Sequence, residues 1–206
     1  MLTIALPKGR MGERVYRALE KAGYACPELL SDSRRLLFEV PGKDVRYLMS
    51  KPADVAVYVQ RGAADMGIVG RDVLLEQEPD VYELCDLGFG KCALCVAARN
   101  HWRDDTSVPL RVATKYPNVA QRYFGHLNRD IEIIKLNGSI ELGPVLGLSD
   151  VIVDIVETGS TLRENDLRVV AQIEPSSARV IANRGSYQFY RQQMDKLLTL
   201  LKEAEE

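Results

Sequence analysis

Along most of this chain, short apolar runs rich in branched residues alternate with stretches of helical period, and many of the runs end in a break marked by glycine or proline. That alternation points to an α/β architecture with mainly parallel strands, because parallel neighbours need a crossover long enough to hold a helix. The stretch Asp150-Val-Ile-Val-Asp-Ile-Val-Glu-Thr-Gly-Ser-Thr-Leu162 is its sharpest instance. The first half reads as buried strand, Glu157-Thr158-Gly159-Ser160-Thr161 as a tight loop, and Leu162 to Leu167 as the start of a helix. A junction of this kind cradles phosphate, since backbone N–H groups at the turn and helix start are unpaired and partly positive. Gly159 lets the backbone approach an anion, and the hydroxyls of Thr158, Ser160 and Thr161 add donors. The carboxylates of Asp154 and Glu157 would repel a phosphate but suit ribose hydroxyls. One loop is therefore equipped for both ends of a sugar phosphate.

The remaining composition mainly excludes. A length of 206 residues allows one large domain or two small ones. A net charge of −2 and a pI near 5.8 give no basic field, so neither nucleic acid nor an anionic membrane is an expected partner. No apolar run nears the roughly 18 residues of a membrane helix, and the N-terminus lacks a secretory pattern, so the expected compartment is the cytoplasm. Cys92-Ala-Leu-Cys95 has a metal-like spacing, but it lies in a strand-like run where positions three apart face opposite ways. No second cysteine pair is present to complete a tetrahedral site, so reduced structural thiols are expected.

Read in order, the strands expected are Leu2–Leu6, Leu36–Val40, Asp65–Gly70, Cys92–Ala98, Arg111–Thr114, Ile131–Leu136, the run from Asp150, Arg168–Ile173 and Ala178–Ala182. Helices are expected after Arg10 up to Gly23, from Ser50 to Arg61, from Arg71, from Pro117, over Ile140–Leu146 and from Tyr187 to about Glu203. The acidic end, Lys202 to Glu206, reads as frayed and solvated. A second module begins near Lys91, and the chain is expected to cross between modules near residues 90 and 180. This makes 1–90 plus 181–206 one lobe and 91–180 the other, the latter carrying the 154–162 loop.

Several further strand ends carry polar groups. Lys8-Gly9-Arg10 sets two cations around a glycine where open α/β folds bind ligands, and it suits a polyphosphate as well as it suits a solvated turn. Ser33-Arg34-Arg35 is a charged run before a strand, usually plain surface. Gly67-Ile-Val-Gly70-Arg71-Asp72 repeats the strand, glycine, helix order, although such glycines often serve packing. In Thr114-Lys115-Tyr116-Pro117, Tyr116 either stacks on a base or packs. In Asn137-Gly-Ser139-Ile-Glu141, Ser139 is either a contact residue or an N-cap. There is neither a Gly-x-Ser-x-Gly elbow nor a Walker-type loop.

Together, Ala5-Leu-Pro-Lys-Gly-Arg10, Gly62-Ala-Ala-Asp-Met-Gly-Ile-Val-Gly-Arg-Asp-Val73, Arg111-Val-Ala-Thr-Lys-Tyr116 and Asp154–Leu162 resemble the ATP phosphoribosyltransferase family, in the same order and across almost the whole chain. The resemblance implies two lobes like those of type II periplasmic-binding proteins, with the active site in the interlobe cleft. It implies the short form, lacking a C-terminal regulatory domain, as a homodimer within a hetero-oligomer that includes a histidyl-tRNA-synthetase-like regulatory subunit. The implied reaction joins ATP to 5-phosphoribosyl 1-pyrophosphate, releases pyrophosphate and opens histidine biosynthesis, with Mg²⁺ accompanying the phosphorylated substrates. By the same resemblance Arg10 and Arg34 are catalytic, stabilising the departing pyrophosphate with Lys8 and Gly9 in support. Glu157, Thr158, Gly159, Ser160 and Thr161 hold the 5-phosphate, and Asp154 binds ribose hydroxyls, with Glu157 able to join it. Gly70, Arg71, Asp72, Lys115, Tyr116, Ser139 and Glu141 contact the nucleotide or sugar. Two rivals stay open at this point: a solute-binding module on the same scaffold, and a type I phosphoribosyltransferase on another. The second usually carries two adjacent acids, whereas here Asp154 is followed by Ile155.

Overall fold

The computed structural model describes residues 1–31 and 34–203. In chain order the strands are β1 (Leu2–Pro7), β2 (Leu37–Glu39), β3 (Val45–Ser50), β4 (Met66–Gly70), β5 (Tyr82–Asp86), β6 (Cys92–Arg99), β7 (Leu110–Thr114), β8 (Ile131–Lys135), β9 (Val151–Val156), β10 (Leu167–Ser176) and β11 (Ala178–Ala182). The helices are α1 (Arg10–Lys21), α2 (Val55–Gln60), α3 (Arg71–Gln77), α4 (Pro117–His126), α5 (Leu142–Val145), α6 (Ser160–Glu164) and α7 (Arg184–Glu203). They group into two compact units. The first comprises Met1–Leu74, Glu78–Gly90 and the chain from Ser177 onward; the second comprises Lys91–Ser176 together with Leu75–Gln77. The return to the first unit thus falls between Ser176 and Ser177, ahead of residue 180, because β11 pairs with β4 and β5.

The first unit is built on a six-stranded sheet in the order β2-β3-β1-β4-β11-β5. Parallel partners β3 and β4 flank β1 on its two sides, and all six β1 residues are buried. Its alternate side chains serve two cores. Leu2, Ile4 and Leu6 pack with Val15 and Leu19 of α1 and Met194, Leu197 and Leu201 of α7, whereas Ala5 packs with Val55 and Val59 of α2. The period of two in the strand thus meets the 3.6-residue period of helices on both faces.

The second unit holds a five-stranded sheet in the order β10-β6-β9-β7-β8. Strands β7, β8 and β9 run parallel, while β6 is antiparallel to β9 and β10 to β6. Helix α4 sends Ala120 and Phe124 onto Val112, Val151 and Val153; on the opposite face Ile140 and Leu162 meet Ala97, Ala113 and Ile152. Both sheets therefore have the parallel core that the alternation of strand and helix signals demands.

Two strands are absent from the sequence reading. Ser50, expected to open a helix, ends β3, and α2 begins only at Val55 after a 3₁₀ turn over Pro52–Asp54. The polar Arg46 hides β3, since its guanidinium is satisfied within the sheet by Thr3 Oγ1 at 3.0 and 3.2 Å. Strand β5, Tyr-Glu-Leu-Cys-Asp, lies at a sheet edge and has no apolar alternation to reveal it. Strand β10 runs past the expected Ile173 to Ser176 and tolerates Pro175 as an edge strand can. Helix α7 begins at Arg184, three residues early, because Asn183 Oδ1 accepts from the N–H groups of Gly185 and Ser186, both at 3.0 Å. All four cysteines are free thiols; burial pushes Cys26, Cys85 and Cys95 up in pKa, which keeps them protonated and unreactive.

Candidate active site

In each unit the polar residues singled out from the sequence collect where parallel strands end. In the first unit the ends are those of β1, β3 and β4, and β1 is the strand from which the sheet grows in both directions. Ligands of open α/β sheets bind at such a point. The chain leaves β1 through Lys8 and Gly9, and the Lys8 N–H donates to Ser50 O at 2.8 Å, holding the turn beside the end of β3. Gly9 has φ +97°, a left-handed value that a side chain would strain, and it caps α1 without a side-chain hydrogen bond. Lys8, Gly9 and Arg10 are all exposed, so both cations lie at the surface at the start of a twelve-residue helix whose N–H groups add positive potential.

Gly12, not anticipated from the sequence, makes this arrangement possible. A Cβ built on it falls 1.8 Å from Pro7 O, so α1 lies directly against the end of β1. The trace of it in the sequence is a glycine inside a helical stretch, three residues after Gly9. At the end of β4, Gly70 serves closeness too, because a Cβ there would fall 2.2 Å from Asp72 Oδ1. Asp72 is only 9% exposed, and the Arg71 N–H donates to Ser177 O at 3.0 Å. Arg34 is exposed on the segment leading to β2, while Ser33 lies outside the described residues.

In the second unit the matching ends are those of β7, β8 and β9. Asp154, near the end of β9, is held on a half-buried stretch with 16% of its side chain exposed. Burial raises its pKa, outweighing the Lys115 ammonium 3.5 Å away, which pulls it down. The carboxylate therefore stands partly stripped of water, ready to accept hydrogen bonds from hydroxyls. Lys115 sits at the end of β7, placed there by Thr114, whose buried hydroxyl donates to Val153 O at 2.6 Å and accepts from the Tyr116 N–H at 2.8 Å.

Beyond β9, Glu157, Thr158, Ser160 and Thr161 are exposed and Gly159 adopts φ +70°. The Thr158 and Ser160 hydroxyls lie 3.1 Å apart, forming one patch of donors. Helix α6 is only five residues long, so the expected contribution of a helix dipole is small, and the anion-binding capacity rests on loop N–H groups and hydroxyls. Arg163, absent from the sequence-based set, reaches back from α6 and donates from Nη1 to Thr158 O at 3.0 Å.

Two expectations change here. Tyr116 is 5% exposed and packs with Leu94, Val119, Leu75 and Ile173, so of its two roles burial supports packing over stacking on a base. Ser139 is not an N-cap: α5 starts at Leu142 with Glu141 as its cap residue, and Ser139 holds a left-handed φ of +50°. The start of α4, directly after Tyr116, is also closed to ligands. Glu76 fills it, accepting from the N–H groups of Asn118 at 3.1 Å and Val119 at 3.0 Å.

Left-handed glycine turns at parallel strand ends, with cations in one unit and hydroxyls beside a half-buried carboxylate in the other, define the class: an α/β protein built to handle phosphorylated sugars. Comparison with known proteins makes this specific. The profile of the family described as HisG: ATP phosphoribosyltransferase matches residues 51–203. An ATP phosphoribosyltransferase of Brachyspira hyodysenteriae is 58% identical over 207 residues, covering 100% of this chain and 99% of that protein. The solved ATP phosphoribosyl transferase (HisG:HisZ) complex from Thermotoga maritima superposes with a TM-score of 0.88 at 38% identity, covering 100% of this chain and 98% of that one. The periplasmic aliphatic sulphonate binding protein SsuA from Escherichia coli, 14% identical with a TM-score of 0.63 over 99% of this chain and 72% of its own, shares the fold alone. This chain belongs to the ATP phosphoribosyltransferase family and is a pentosyltransferase on the two-lobed scaffold of type II periplasmic-binding proteins.

Proposed function

We propose that this chain is the catalytic subunit that condenses ATP with 5-phosphoribosyl 1-pyrophosphate to 1-(5-phosphoribosyl)-ATP and pyrophosphate, the first step of histidine biosynthesis. The observation that carries the reading is the end of β9. There Asp154, half-buried and ionisable, stands a few residues ahead of a left-handed glycine loop with paired hydroxyls. In the reaction the lone pair of adenine N1 forms the bond to ribose C1, and the electron pair of the breaking C1–O bond leaves with pyrophosphate. An uncharged ring nitrogen needs no activated serine, cysteine or lysine. The chain must instead position two substrates and stabilise charge that grows on the leaving group.

In this reading the hydroxyls and N–H groups of Thr158, Gly159, Ser160 and Thr161 hold the 5-phosphate, while Asp154 and Glu157 accept from the ribose hydroxyls. Arg10 and Arg34 meet the departing pyrophosphate, with Lys8 and the Gly9 turn in support. Gly70, Arg71, Asp72, Lys115, Ser139 and Glu141 complete the contacts to nucleotide and sugar. Among the described residues no three His, Cys, Asp or Glu side chains converge to hold a metal ion. The Mg²⁺ we propose would accompany the phosphorylated substrates and offset their charge. The assembly we propose is a homodimer of this chain joined by a histidyl-tRNA-synthetase-like regulatory subunit, by analogy with the HisG:HisZ complex. No helix among the described residues is long and apolar enough to cross a membrane, and a cytoplasmic enzyme fits the substrates. The test is ATP-dependent release of pyrophosphate from the donor, with and without the regulatory subunit. Release under either condition is expected, and its absence under both would overturn the reading.

A further inference from the structure

The loop that the proposed function assigns to the 5-phosphate is not packed against the core from behind. A cavity of about 490 Å³ opens there, lined by Gly159, Leu162, Arg163, Leu167, Arg168 and Asn100 among others. Into this gap Arg163 folds back, donating from Nη1 to Thr158 O at 3.0 Å and lying 3.3 Å from the point where a Cβ on Gly159 would sit. Thr158 C=O and Gly159 N–H belong to one peptide unit, and the chain has no cis peptide among its described residues. In a trans unit the two groups point in opposite directions. Fixing the carbonyl toward Arg163 therefore aims the Gly159 N–H away from Arg163. A glycine on either side of such a unit makes reorientation easy, since Gly159 tolerates both signs of φ.

We infer that Arg163 is a positioning residue for the phosphoribosyl donor: it locks the Thr158–Gly159 peptide so that the Gly159 N–H serves the 5-phosphate. Its guanidinium also places a permanent positive charge behind the loop, at the end of the donor that does not react. The inference rests on the donor reading of the loop, and it predicts a selective defect. A terminal 5-phosphate monoester is shared by the donor and ribose 5-phosphate, whereas ATP carries a 5′-triphosphate and pyrophosphate carries no ribose.

The experiment uses the full chain and two variants, Arg163→Gln and Arg163→Lys. Arg163 is solvent-exposed, so neither change disturbs the core. Calorimetry with ribose 5-phosphate and with pyrophosphate reads binding, and steady-state kinetics reads KM for each substrate. In Arg163→Gln, affinity for ribose 5-phosphate and for the donor should fall about tenfold, as expected for losing a charge-assisted bond that orders the site. Pyrophosphate affinity, KM for ATP and kcat should stay within about twofold, less than RT ln 2 of change. Arg163→Lys, which keeps the charge and one donor, should recover part of the loss. Equal ribose 5-phosphate affinity in wild type and Arg163→Gln would overturn the inference alone. A loss spread evenly over ribose 5-phosphate, pyrophosphate and ATP would also overturn it, by showing a general structural role. Failure of the unsubstituted chain to bind ribose 5-phosphate would overturn it together with the donor assignment.

Discussion

The turn after β1 and the loop after β9 follow parallel strands in the middle of two mixed sheets, yet they are built on opposite plans. The first is a stiff turn with exposed charge: Gly9 and Gly12 let a twelve-residue helix press on Pro7, and the functional groups are long cationic side chains at the surface. The second is a looser loop with fixed chemistry: short hydroxyls, a carboxylate anchored in the sheet, a single-turn helix, and a cavity where the first has packed backbone. The difference suits the parts each plays in the proposed reaction. A departing, highly charged pyrophosphate needs long cationic side chains to meet its growing charge, whereas the ribose 5-phosphate end must be held in one place while C1 is exposed to the nucleotide.

That contrast is open to direct attack. The largest expected effect is on folding: Gly12→Ala drives a methyl into Pro7 O and should cost about 3 kcal/mol or more, read by urea denaturation. Gly159→Ala, strained by its positive φ and meeting only the flexible end of Arg163 at 3.3 Å, should cost about 1 kcal/mol. Similar costs at the two sites would erase the distinction between a packed and an open loop. Next comes Arg10→Ala, expected to lower kcat about a hundredfold while the KM for ATP changes little, because the charge it meets grows in the transition state. A change confined to KM would show instead that Arg10 only binds ground-state substrate.

Asp154→Asn should weaken donor binding about tenfold by calorimetry, and it should act on stability with the opposite sign. The folded-state pKa of Asp154 is raised, so ionising the group costs the folded protein stability as pH rises from the ordinary carboxylate range through that raised value. The asparagine variant should therefore melt higher than wild type at pH 7, the gap closing toward pH 4. For the wild type, donor affinity should fall as pH drops through the same raised value. A variant that melts lower at pH 7 would mean that the Lys115 pair, not burial, dominates the site. The smallest effect concerns the frame beneath the loop. Arg111 grips Asp150 with bonds of 2.6 and 3.1 Å and holds its pKa down. Its folded value lies below the unfolded one, so the pair stabilises at neutral pH and is lost on acidification below the carboxylate range. Asp150→Asn should cost about 1 kcal/mol at pH 7 in the same denaturation assay.

The parts of this protein that were legible in the sequence are those where one local signal suffices. β1, β4 and β9 are short apolar runs followed by glycine, and α1 shows its buried stripe and glycine stop; each forms as expected. What stayed hidden depends on partners distant in the chain. β3 needs Thr3 to satisfy Arg46, and β5 exists only because β11 returns beside it. The same rule sorts the site. Asp154 and the Thr158–Thr161 loop declare themselves by spacing, but the burial of Tyr116, the closing of α4 by Glu76 and the brace from Arg163 arise from contacts that periodicity cannot report.

Strand β10 closes the second sheet on one side with ten residues, and its pairing with β6 slips register twice, between Val169 and Ala171 and between Gln172 and Glu174. A straight border of that length would offer a ladder of unpaired amides to any extended chain, including another copy of the same protein. The two slips, with Pro175 near the end and the charged Arg168 and Glu174, interrupt that ladder. Edges interrupted in this way resist pairing with another chain, so smoothing them by deletion is expected to turn a quiet margin of the molecule into an adhesive one, read as added mass by light scattering.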